Sequence, residues 1–342
     1  MIAGWTDTGA SLWLVTCAAT LVAGASALSA TRTALAYLQR HQLLDRPNDR
    51  SSHTIPTPRG GGLGVVPPLL VVWAGLAATG PGAGWAWRII GGAAVLMAAS
   101  WLDDRRSLPA LPRFLLQAAM VGMAVAGLPA GAHVLPAWVP MPIDRILTGL
   151  VWLWFVNLFN FMDGIDGITG IETFSLGLGI VLVAVFSGAA MGLIPFAAAT
   201  GAAGLAFLAW NWHPARVFLG DVGSIPLGFM LGGLLVHLAT AGLLTAALIL
   251  PAIYLADASI TLVRRLARGE AIWRAHRQHF YQQPVKAGYG HDQVARVILI
   301  ANAALIAAAL IAIDRPAFAA AAAAAIVIGV LILFQRWGQT EP

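Results

Sequence analysis

Residues 146–188 read ILTGLVWLWFVNLFNFMDGIDGITGIETFSLGLGIVLVAVFSG, a sequence in which two apolar runs flank a short polar segment. An α-helix needs roughly 20 apolar residues to cross the hydrocarbon core of a bilayer, and each run approaches that length. The polar segment carries Asp163, Asp166 and three glycines, which favour the end of a helix. The stretch therefore predicts two membrane-spanning helices joined by a turn that bears carboxylates.

The composition extends this prediction to the whole chain. Of 342 residues, 59% are hydrophobic and 10% are charged, and the mean hydropathy is +0.78. Soluble proteins carry about 25% charged residues. We therefore expect an all-α, polytopic integral membrane protein in which residues 1–342 form one transmembrane domain. Eleven spans are predicted, near residues 11–30, 63–80, 88–102, 114–131, 146–161, 171–188, 191–210, 222–239, 241–259, 293–313 and 316–334. The third is short and the sixth and seventh are closely joined, so a count of ten is the alternative.

The basic residues predict the orientation of these spans. With eleven spans and an outside N-terminus, all 20 Lys and Arg except Arg88, Arg145 and Arg315 fall inside or at the inner edge. This asymmetry is what the positive-inside rule describes. It accounts for the sequence pI of about 10.1 without nucleic acid as a partner. We therefore expect the active site to be formed by cytoplasmic loops.

Five aspartates stand out because each directly follows a long apolar stretch, in a chain with only 15 acidic residues. They are Asp103, Asp104, Asp163, Asp166 and Asp221. Carboxylates beside a bilayer are costly to desolvate and usually serve ions, protons or substrates. We expect one polar site built from several helix ends, with enough negative charge for a divalent metal. For the Asp103–Asp104 pair, the alternative is a helix-end cluster that pairs with the two arginines following it.

The spacing around Asp163 gives the strongest motif. Asn157, Asn160 and Asp163 lie three apart and therefore roughly along one face of a helix end. The glycines at 164, 167 and 170 break the helix, and their backbone N–H groups can meet a nucleotide or a phosphate. The alternative is hydrogen bonding by asparagine between helices in lipid, which leaves the carboxylates and glycines unexplained.

Asp221 lies three residues after Phe218, in a loop where Gly220 and Gly223 flank the carboxylate. The carboxylate could bind a metal ion beside an aromatic platform for a base. Alternatively, it could cap the N-terminus of the next span. The two roles are compatible because a capping carboxylate keeps its second oxygen free.

Two basic loops hold the remaining candidates, and the first covers residues 31–62. Arg50, His53 and Arg59 occur there among serine and threonine residues. The composition is equally consistent with a loop that lies on the membrane surface and with one that binds anions.

The second basic loop covers residues 262–292 and contains the arrangement H-R-x-H at His276, Arg277 and His279. A zinc site would need further ligands, and the loop has no Cys. Arginine binds phosphate through two parallel hydrogen bonds, so phosphate binding fits this cluster better. Adhesion to the membrane surface is the alternative.

Five stretches of this chain resemble the polyprenyl-phosphate N-acetylhexosamine-1-phosphate transferases, the superfamily that includes phospho-MurNAc-pentapeptide translocase. They occur in the family's order and cover most of the predicted cytoplasmic loops. The H-R-x-H form of the last stretch looks like the branch that initiates O-antigen or related glycan synthesis. It departs from the triple histidine of the muramyl-pentapeptide enzymes. The stretches are DRPNDRSSHTIPTPRGGG, DDRRSLPALPRFLLQ, NLFNFMDGIDGITG, PARVFLGDVGS and RAHRQHFYQ.

The resemblance implies a reaction, a cofactor and a location. A UDP-N-acetylhexosamine would give its sugar-1-phosphate to undecaprenyl phosphate, with release of UMP. Mg²⁺ would be required, with Mn²⁺ as a substitute. The enzyme would be a multi-pass protein of the bacterial inner membrane with its active site facing the cytoplasm. It would form a homodimer.

The resemblance also implies roles for individual residues. Asp221 and Asn160 would be metal ligands, and one of Asp103 and Asp104 would act on the lipid phosphate. Asp163, also a catalytic candidate, and Asp166 would lie near the nucleotide, with Phe218 stacked on uracil. The phosphates or the sugar would be held by Arg113, His276, Arg277 and His279. Further candidates for substrate binding are Asn157, Asn48, Arg50, His53 and Thr57. The translocases have a lysine near the position of Ser52 that this chain lacks.

Two other classes of membrane protein compete with this interpretation. A secondary transporter would also have many helices, but it predicts acidic residues near the bilayer midplane and an internal repeat. A CDP-alcohol phosphatidyltransferase also has paired aspartates, but its motif opens with D-G-x-x-A-R. This chain instead has DGID at residues 163–166.

Overall fold

The computed structural model describes residues 9–45, 55–80, 83–106, 108–270 and 276–340. Within these ranges the regular secondary structure is helical apart from one short antiparallel ladder, in which β1 (Leu44–Asp45) pairs with β2 (Thr57–Pro58). The helices are α1 (Gly9–Arg40), α2 (Gly62–Thr79), α3 (Gly84–Arg106), α4 (Ala110–Ala126), α5 (Met141–Phe161), α6 (Ile168–Ser187), α7 (Ile194–Asn211), α8 (Asp221–Leu238), α9 (Leu244–Ile249), α10 (Ala252–Ala267), α11 (Gln282–Lys286), α12 (His291–Ile311) and α13 (Pro316–Trp337).

The predicted membrane class is confirmed. Among the described residues, nine helices are long and apolar enough to cross a bilayer, and α4 is a shorter apolar helix. One of the nine joins α8 to α9 through a π-helical turn at Ala239–Leu243. The protein is therefore an all-α, multi-pass membrane protein.

The predicted ninth span, residues 241–259, is wrong as a single continuous helix. Gly242 adopts a left-handed conformation with φ of 87°, and α9 ends two residues before Pro251. Proline has no N–H to continue the helical ladder, so a new helix, α10, starts after it. Hydropathy alone does not reveal such a break.

After this break, α10 returns the chain to the end of the bundle at which α5 finishes. Its Asp257 accepts hydrogen bonds from the backbone N–H groups of Phe280 and Tyr281, at 3.0 and 2.9 Å. The Tyr281 hydroxyl donates in turn to the carbonyl of Phe161, the last residue of α5, at 3.1 Å. The loop after α10 is thereby fastened to the turn after α5.

At the opposite end of the bundle, aromatic rings close the packing between α2, α3, α7 and α8. The ring centroids of Trp73 and Phe196 are 5.0 Å apart, and those of Trp85 and His237 are 4.2 Å apart. α8 runs from this cluster to Asp221 at its other end and is buried along almost its whole length. It is therefore the helix that connects the two ends of the molecule.

One glycine pair sets the geometry at the Asp221 end. A Cβ on Gly62 would lie 2.3 Å from the Cα of Gly223, so the first turns of α2 and α8 touch through their backbones. Small residues allow such close approach between membrane helices. This contact brings the loop before α2 next to Asp221.

Candidate active site

Three of the five aspartates meet at one end of the bundle, where two arginines join them. Nη2 of Arg59 lies 2.8 Å from Oδ1 of Asp221 and 3.2 Å from Oδ1 of Asp104. Arg113 pairs with Asp103 and also reaches Asp221, with 3.5 Å between Nη1 and Oδ2. The three carboxylates are mostly buried, whereas the side chain of Arg59 is 40% exposed. These three carboxylates therefore lie together at helix ends, and their roles in a site stay predictions.

Asp103 and Asp104 occupy the last turn of α3, and backbone N–H groups from other segments orient both. Leu108 N–H donates to Oδ1 of Asp103 at 2.6 Å, and Val222 N–H donates to Oδ2 of Asp104 at 3.2 Å. The alternative that the pair only neutralises the following arginines does not describe this arrangement. Arg105 instead lies over the ring of Trp101, 5.6 Å from its centroid.

Asp221 is the first residue of α8 and does not cap it. The N-cap position belongs to Gly220, which has a left-handed φ of 73° and no side chain to donate or accept. A Cβ there would lie 3.3 Å from Oδ2 of Asp104. Glycine therefore allows the Asp104 and Asp221 carboxylates to approach each other.

Arg59 is held by a short bridge between the loop before α2 and the loop before α8. Gly60 and Gly61 donate their N–H groups to the carbonyl of Phe218, and Phe218 N–H donates to the carbonyl of Pro58 at 2.8 Å. Burial alone would lower the pKa of Arg59, but the charges of Asp221 and Asp104 raise it above its usual value. Nothing in the sequence indicated the partner of Arg59.

Asn160 approaches the Asp221 turn from the neighbouring helix α5. Ser224, one turn after Asp221, donates its hydroxyl to Oδ1 of Asn160 at 2.5 Å. This is the hydrogen bond between helices that the sequence offered as an alternative. An amide oxygen has a second lone pair, so the bond does not prevent metal binding.

The donor set of these residues fits a hard divalent cation. Mg²⁺ takes oxygen ligands and usually keeps one or two carboxylates plus substrate phosphate. Asp221, Asp104 and Asn160 offer such oxygens. The guanidinium of Arg59 supplies the positive charge between the two carboxylates. Asp221 and Asn160 could therefore hold Mg²⁺ if Arg59 moved aside.

Asp163 lies in the turn after α5, where the charges of Arg59 and Asp221 act on it. It accepts a hydrogen bond from the Thr169 hydroxyl at 2.6 Å. Burial raises the pKa of Asp163 to about 6, and the negative charge of Asp221 adds to this rise, whereas Thr169 and the charge of Arg59 oppose it. This carboxyl can therefore exchange a proton near neutral pH.

Asp166 has partners of its own, although its charge also acts on Asp163. It is bound by two histidines, with Nδ1 of His213 2.6 Å from Oδ2 and Nδ1 of His291 3.3 Å from Oδ1. Although burial opposes it, these contacts and the N–H of Ala215 lower the pKa of Asp166. One ligand atom from each of the three side chains lies within 4.8 Å of the others. Sequence reasoning missed both histidines because they are 78 residues apart, by their numbers, and far from Asp166.

The glycines of this turn have structural roles, and the prediction that their N–H groups can meet a nucleotide or a phosphate is wrong for Gly167. Gly167 N–H donates to Oδ1 of Asn211 at 2.9 Å, and Gly170 lies inside α6 against Leu208. A Cβ on Gly164 would lie 2.2 Å from the hydroxyl of Tyr281. Gly164 is therefore needed for the packing of the H-R-x-H loop against this turn.

The H-R-x-H loop is ordered around one buried carboxylate that the sequence did not single out. Nδ1 of His279 lies 3.0 Å from Oδ1 of Asp257 in α10, and both side chains are almost fully buried. The ring of His276 stacks on that of His279, with 4.8 Å between centroids. Burial and the neighbouring charges of His279 and Arg265 lower the pKa of His276 to about 4, so this imidazole is neutral at pH 7.

The remaining predicted residues have less distinctive surroundings. Asn157 donates to the carbonyl of Leu153 in its own helix at 2.8 Å. Thr57 is buried in β2 and donates to the carbonyl of Ile55, so its hydroxyl serves the loop itself. Phe218 and Arg277 are partly buried, and their substrate contacts stay predictions. Asn48, Arg50 and His53 lie outside the described residues.

The fold and this site together define a multi-pass membrane protein with carboxylates and arginines gathered at one end of its helices. Residues 86–239 match the sequence profile of Glycosyl transferase family 4. A Streptomyces coelicolor protein named as a glycosyltransferase is 33% identical over 315 residues, covering 85% of this chain and 68% of that protein. The chain therefore belongs to this family, within the superfamily of polyprenyl-phosphate N-acetylhexosamine-1-phosphate transferases, and the resemblance is confirmed.

Two further relatives carry more specific names. A Bacillus subtilis protein named as an undecaprenyl-phosphate N-acetylglucosaminyl 1-phosphate transferase is 28% identical over 271 residues, which cover 75% of this chain and 74% of the relative. The phospho-N-acetylmuramoyl-pentapeptide-transferase of Deinococcus radiodurans is 33% identical over 219 residues, which cover 57% of this chain and 66% of the relative.

Proposed function

We propose that the protein transfers an N-acetylhexosamine-1-phosphate from a UDP-sugar to undecaprenyl phosphate and releases UMP. The observation that carries this proposal is the meeting of Asp103, Asp104 and Asp221 around two arginines at a membrane-helix end. The names of relatives in Bacillus subtilis and Mycobacterium tuberculosis, which specify polyprenyl-phosphate N-acetylglucosamine phosphotransferases, support it.

The reaction joins two anions, so charge neutralisation and positioning are its main demands. An oxygen of the lipid phosphate forms a bond to the phosphorus next to the sugar. The bond from that phosphorus to the bridging oxygen breaks, and UMP leaves with this oxygen. When the lipid phosphate carries a proton, Asp103 or Asp104 accepts it. Mg²⁺ bound by Asp221 and Asn160 would neutralise the negative charge of the phosphate oxygens.

The two arginines have a second part in this proposal. Arg59 and Arg113 neutralise the carboxylates before substrate binds. Both side chains are about one-third or more exposed, so they can turn toward an incoming phosphate. A guanidinium offers five donors in a planar fork that matches phosphate oxygens.

We assign the nucleotide and the sugar to the turn after α5 and to the loop after α10. The turn after α5 would contact the uridine, with Phe218 stacked on the base. His276, Arg277 and His279 would hold the donor's phosphates or sugar, with His279 fixed by Asp257. The bond from Tyr281 to Phe161 keeps these loops together.

We place this site on the cytoplasmic face of the bacterial inner membrane, which the predicted distribution of basic residues supports. The product would start a lipid-linked glycan such as O-antigen, which the H-R-x-H form of the loop favours. The transporter alternative required carboxylates near the bilayer midplane, whereas the Asp103, Asp104 and Asp221 cluster lies at the ends of α3 and α8.

The test compares Asp221→Asn and Asp104→Asn with the wild type for UMP release from a panel of UDP-N-acetylhexosamines with undecaprenyl phosphate. Asp292→Asn is the matched control, because Asp292 pairs with Arg296 at the start of α12. We expect loss of UMP release in both site variants and wild-type rates in the control. Wild-type rates in either site variant, or transfer that persists in excess chelator, would refute the assignment.

A further inference from the structure

A polar cavity lies between α10, α11 and the end of α13. Its volume is about 320 Å³, and none of its lining residues is acidic. It shares no lining residue with the aspartate cluster. Three cations line it, and four amide side chains add further donors. These residues are Arg264, Arg268, Lys286, Gln278, Gln283, Gln335 and Gln339.

The donors of this cavity are fixed by contacts with its walls. Arg264 lies in the last turn of α10, and Arg268 is the C-cap residue that follows this turn. The guanidinium of Arg264 lies over the ring of Phe280, 4.6 Å from its centroid. Gln283 donates to the carbonyl of His279 at 3.2 Å. The cavity is therefore formed by ordered side chains on three separate elements.

The cations of this cavity are only partly balanced by carboxylates in the described part of the chain. No ion pair within 4 Å joins Arg264, Arg268 or Lys286 to an acidic residue there. Glu270 interacts with Arg268 at longer range, but its Oε2 atom is already bound by Arg265 and Gln278. Concentrated cations with unused donors are the chemistry that recognises phosphate.

The position of the cavity puts it at the level of lipid headgroups. It opens where the apolar helix α13 ends, next to the basic last turn of α10. Beside it, the ring of Trp337 stacks on that of Tyr289 with 4.6 Å between centroids. Tryptophan and tyrosine concentrate at membrane–water interfaces, and basic pockets between membrane helices bind anionic headgroups.

We propose that this cavity binds a phosphate-bearing anion at the membrane surface, separately from the transfer site. The ligand presents a phosphate group to Arg264, Arg268 and Lys286. This phosphate belongs either to the headgroup of an anionic phospholipid or to a soluble phosphate ion. The proposal does not depend on the reaction at the aspartates.

The experiment uses delipidated full-length protein and measures binding without any nucleotide. One arm titrates phosphatidylglycerol or phosphatidylcholine and counts bound lipids by native mass spectrometry. The other arm titrates inorganic phosphate and records the melting temperature. The variant is Arg268→Gln with Lys286→Gln, and Arg40→Gln is the control because it removes a cation from the exposed end of α1. The melting temperature without added anion shows that each variant is folded.

We expect the double variant to bind phosphatidylglycerol about 30-fold more weakly than wild type, since each basic residue contributes to attraction of anionic lipid. The control should match the wild type, and phosphatidylcholine should bind weakly to all three. A shift by millimolar phosphate that the double variant loses would assign the site to soluble phosphate. Equal anion binding in wild type and double variant would overturn the proposal.

Discussion

The Nη2 atom of Arg59 lies 2.8 Å from the Oδ1 atom of Asp221, although 162 residues separate the two in the sequence. The backbone of Arg59 is fixed by its bridge to Phe218, whereas its side chain remains partly exposed. The arginine can therefore leave the carboxylate without any change in the fold. Mutagenesis of the site should therefore begin with this pair.

Replacing Arg59 with Gln should lower kcat/KM for UMP release by about 10- to 100-fold, because a hydrogen bond to a charged group contributes about 1.5–3 kcal/mol. The same change should tighten Mg²⁺ binding in the absence of substrate, since a competing cation is removed from Asp104 and Asp221. Calorimetry of metal binding checks the second effect. Arg105→Gln, in the last turn of α3, is the control, and equal losses in both variants would contradict the role of Arg59.

Asp257→Asn and His279→Gln should impair transfer through one shared mechanism. Asp257 holds the imidazole of His279 at 3.0 Å, so either change removes the same oriented group. In a double-mutant cycle we expect the double variant to be no slower than the slower single variant. Additive losses would show that the two residues act independently. Melting temperatures identify any loss that comes from unfolding, since Asp257 also accepts two backbone N–H groups.

The pKa of Asp163, raised to about 6 by burial, predicts a pH dependence of stability. The folded state binds this proton more tightly than the unfolded state, so stability falls as pH rises from the ordinary pKa of 3.8 to about 6 and levels off above that. Asn mimics the neutral acid. Metal-free wild type and Asp163→Asn should therefore melt together only below about pH 4, with the wild type falling progressively below the variant up to about pH 6. Parallel melting curves across this range would contradict the shift.

Gly164→Ala should disrupt the contact between the two loops of the site. The added Cβ would meet the Tyr281 hydroxyl at 2.2 Å, and overpacking of this kind costs about 1–3 kcal/mol. We expect a lower melting temperature and slower UMP release. Gly149→Ala in the preceding helix is the control, because its Cβ would meet only Val125 at 3.9 Å. If both variants behave like the wild type, the packing of Tyr281 on this turn is unimportant.

Hydropathy was sufficient to predict the helical membrane class and most of the spans, because apolar length is a local property of the chain. Hydropathy also placed Asp103, Asp104 and Asp221 at helix ends. Because these helix ends were predicted on the same side of the membrane, the three carboxylates were expected to meet. The broken ninth span was not predictable in this way. The φ of Gly242 and the missing N–H of Pro251 interrupt a run that is apolar throughout.

The contacts that pair the site residues could not be predicted from one sequence. Arg59 with Asp221 and His291 with Asp166 are joined only by tertiary packing, and nothing local marks them as partners. Asp257 was overlooked for a related reason. It lies within an apolar segment, where it appears as an isolated charge until the folded loop brings backbone N–H groups to it.

The backbone contact between Gly62 and Gly223 has an electrostatic consequence. It places the first turns of α2 and α8 side by side, so the positive ends of two helix dipoles lie together at the end of the bundle that holds the carboxylates. The Val222 N–H already donates to Asp104 from one of these turns. This positive potential belongs to the backbone and persists when the arginines move. Anions arriving at the site therefore meet a field that no side-chain substitution removes.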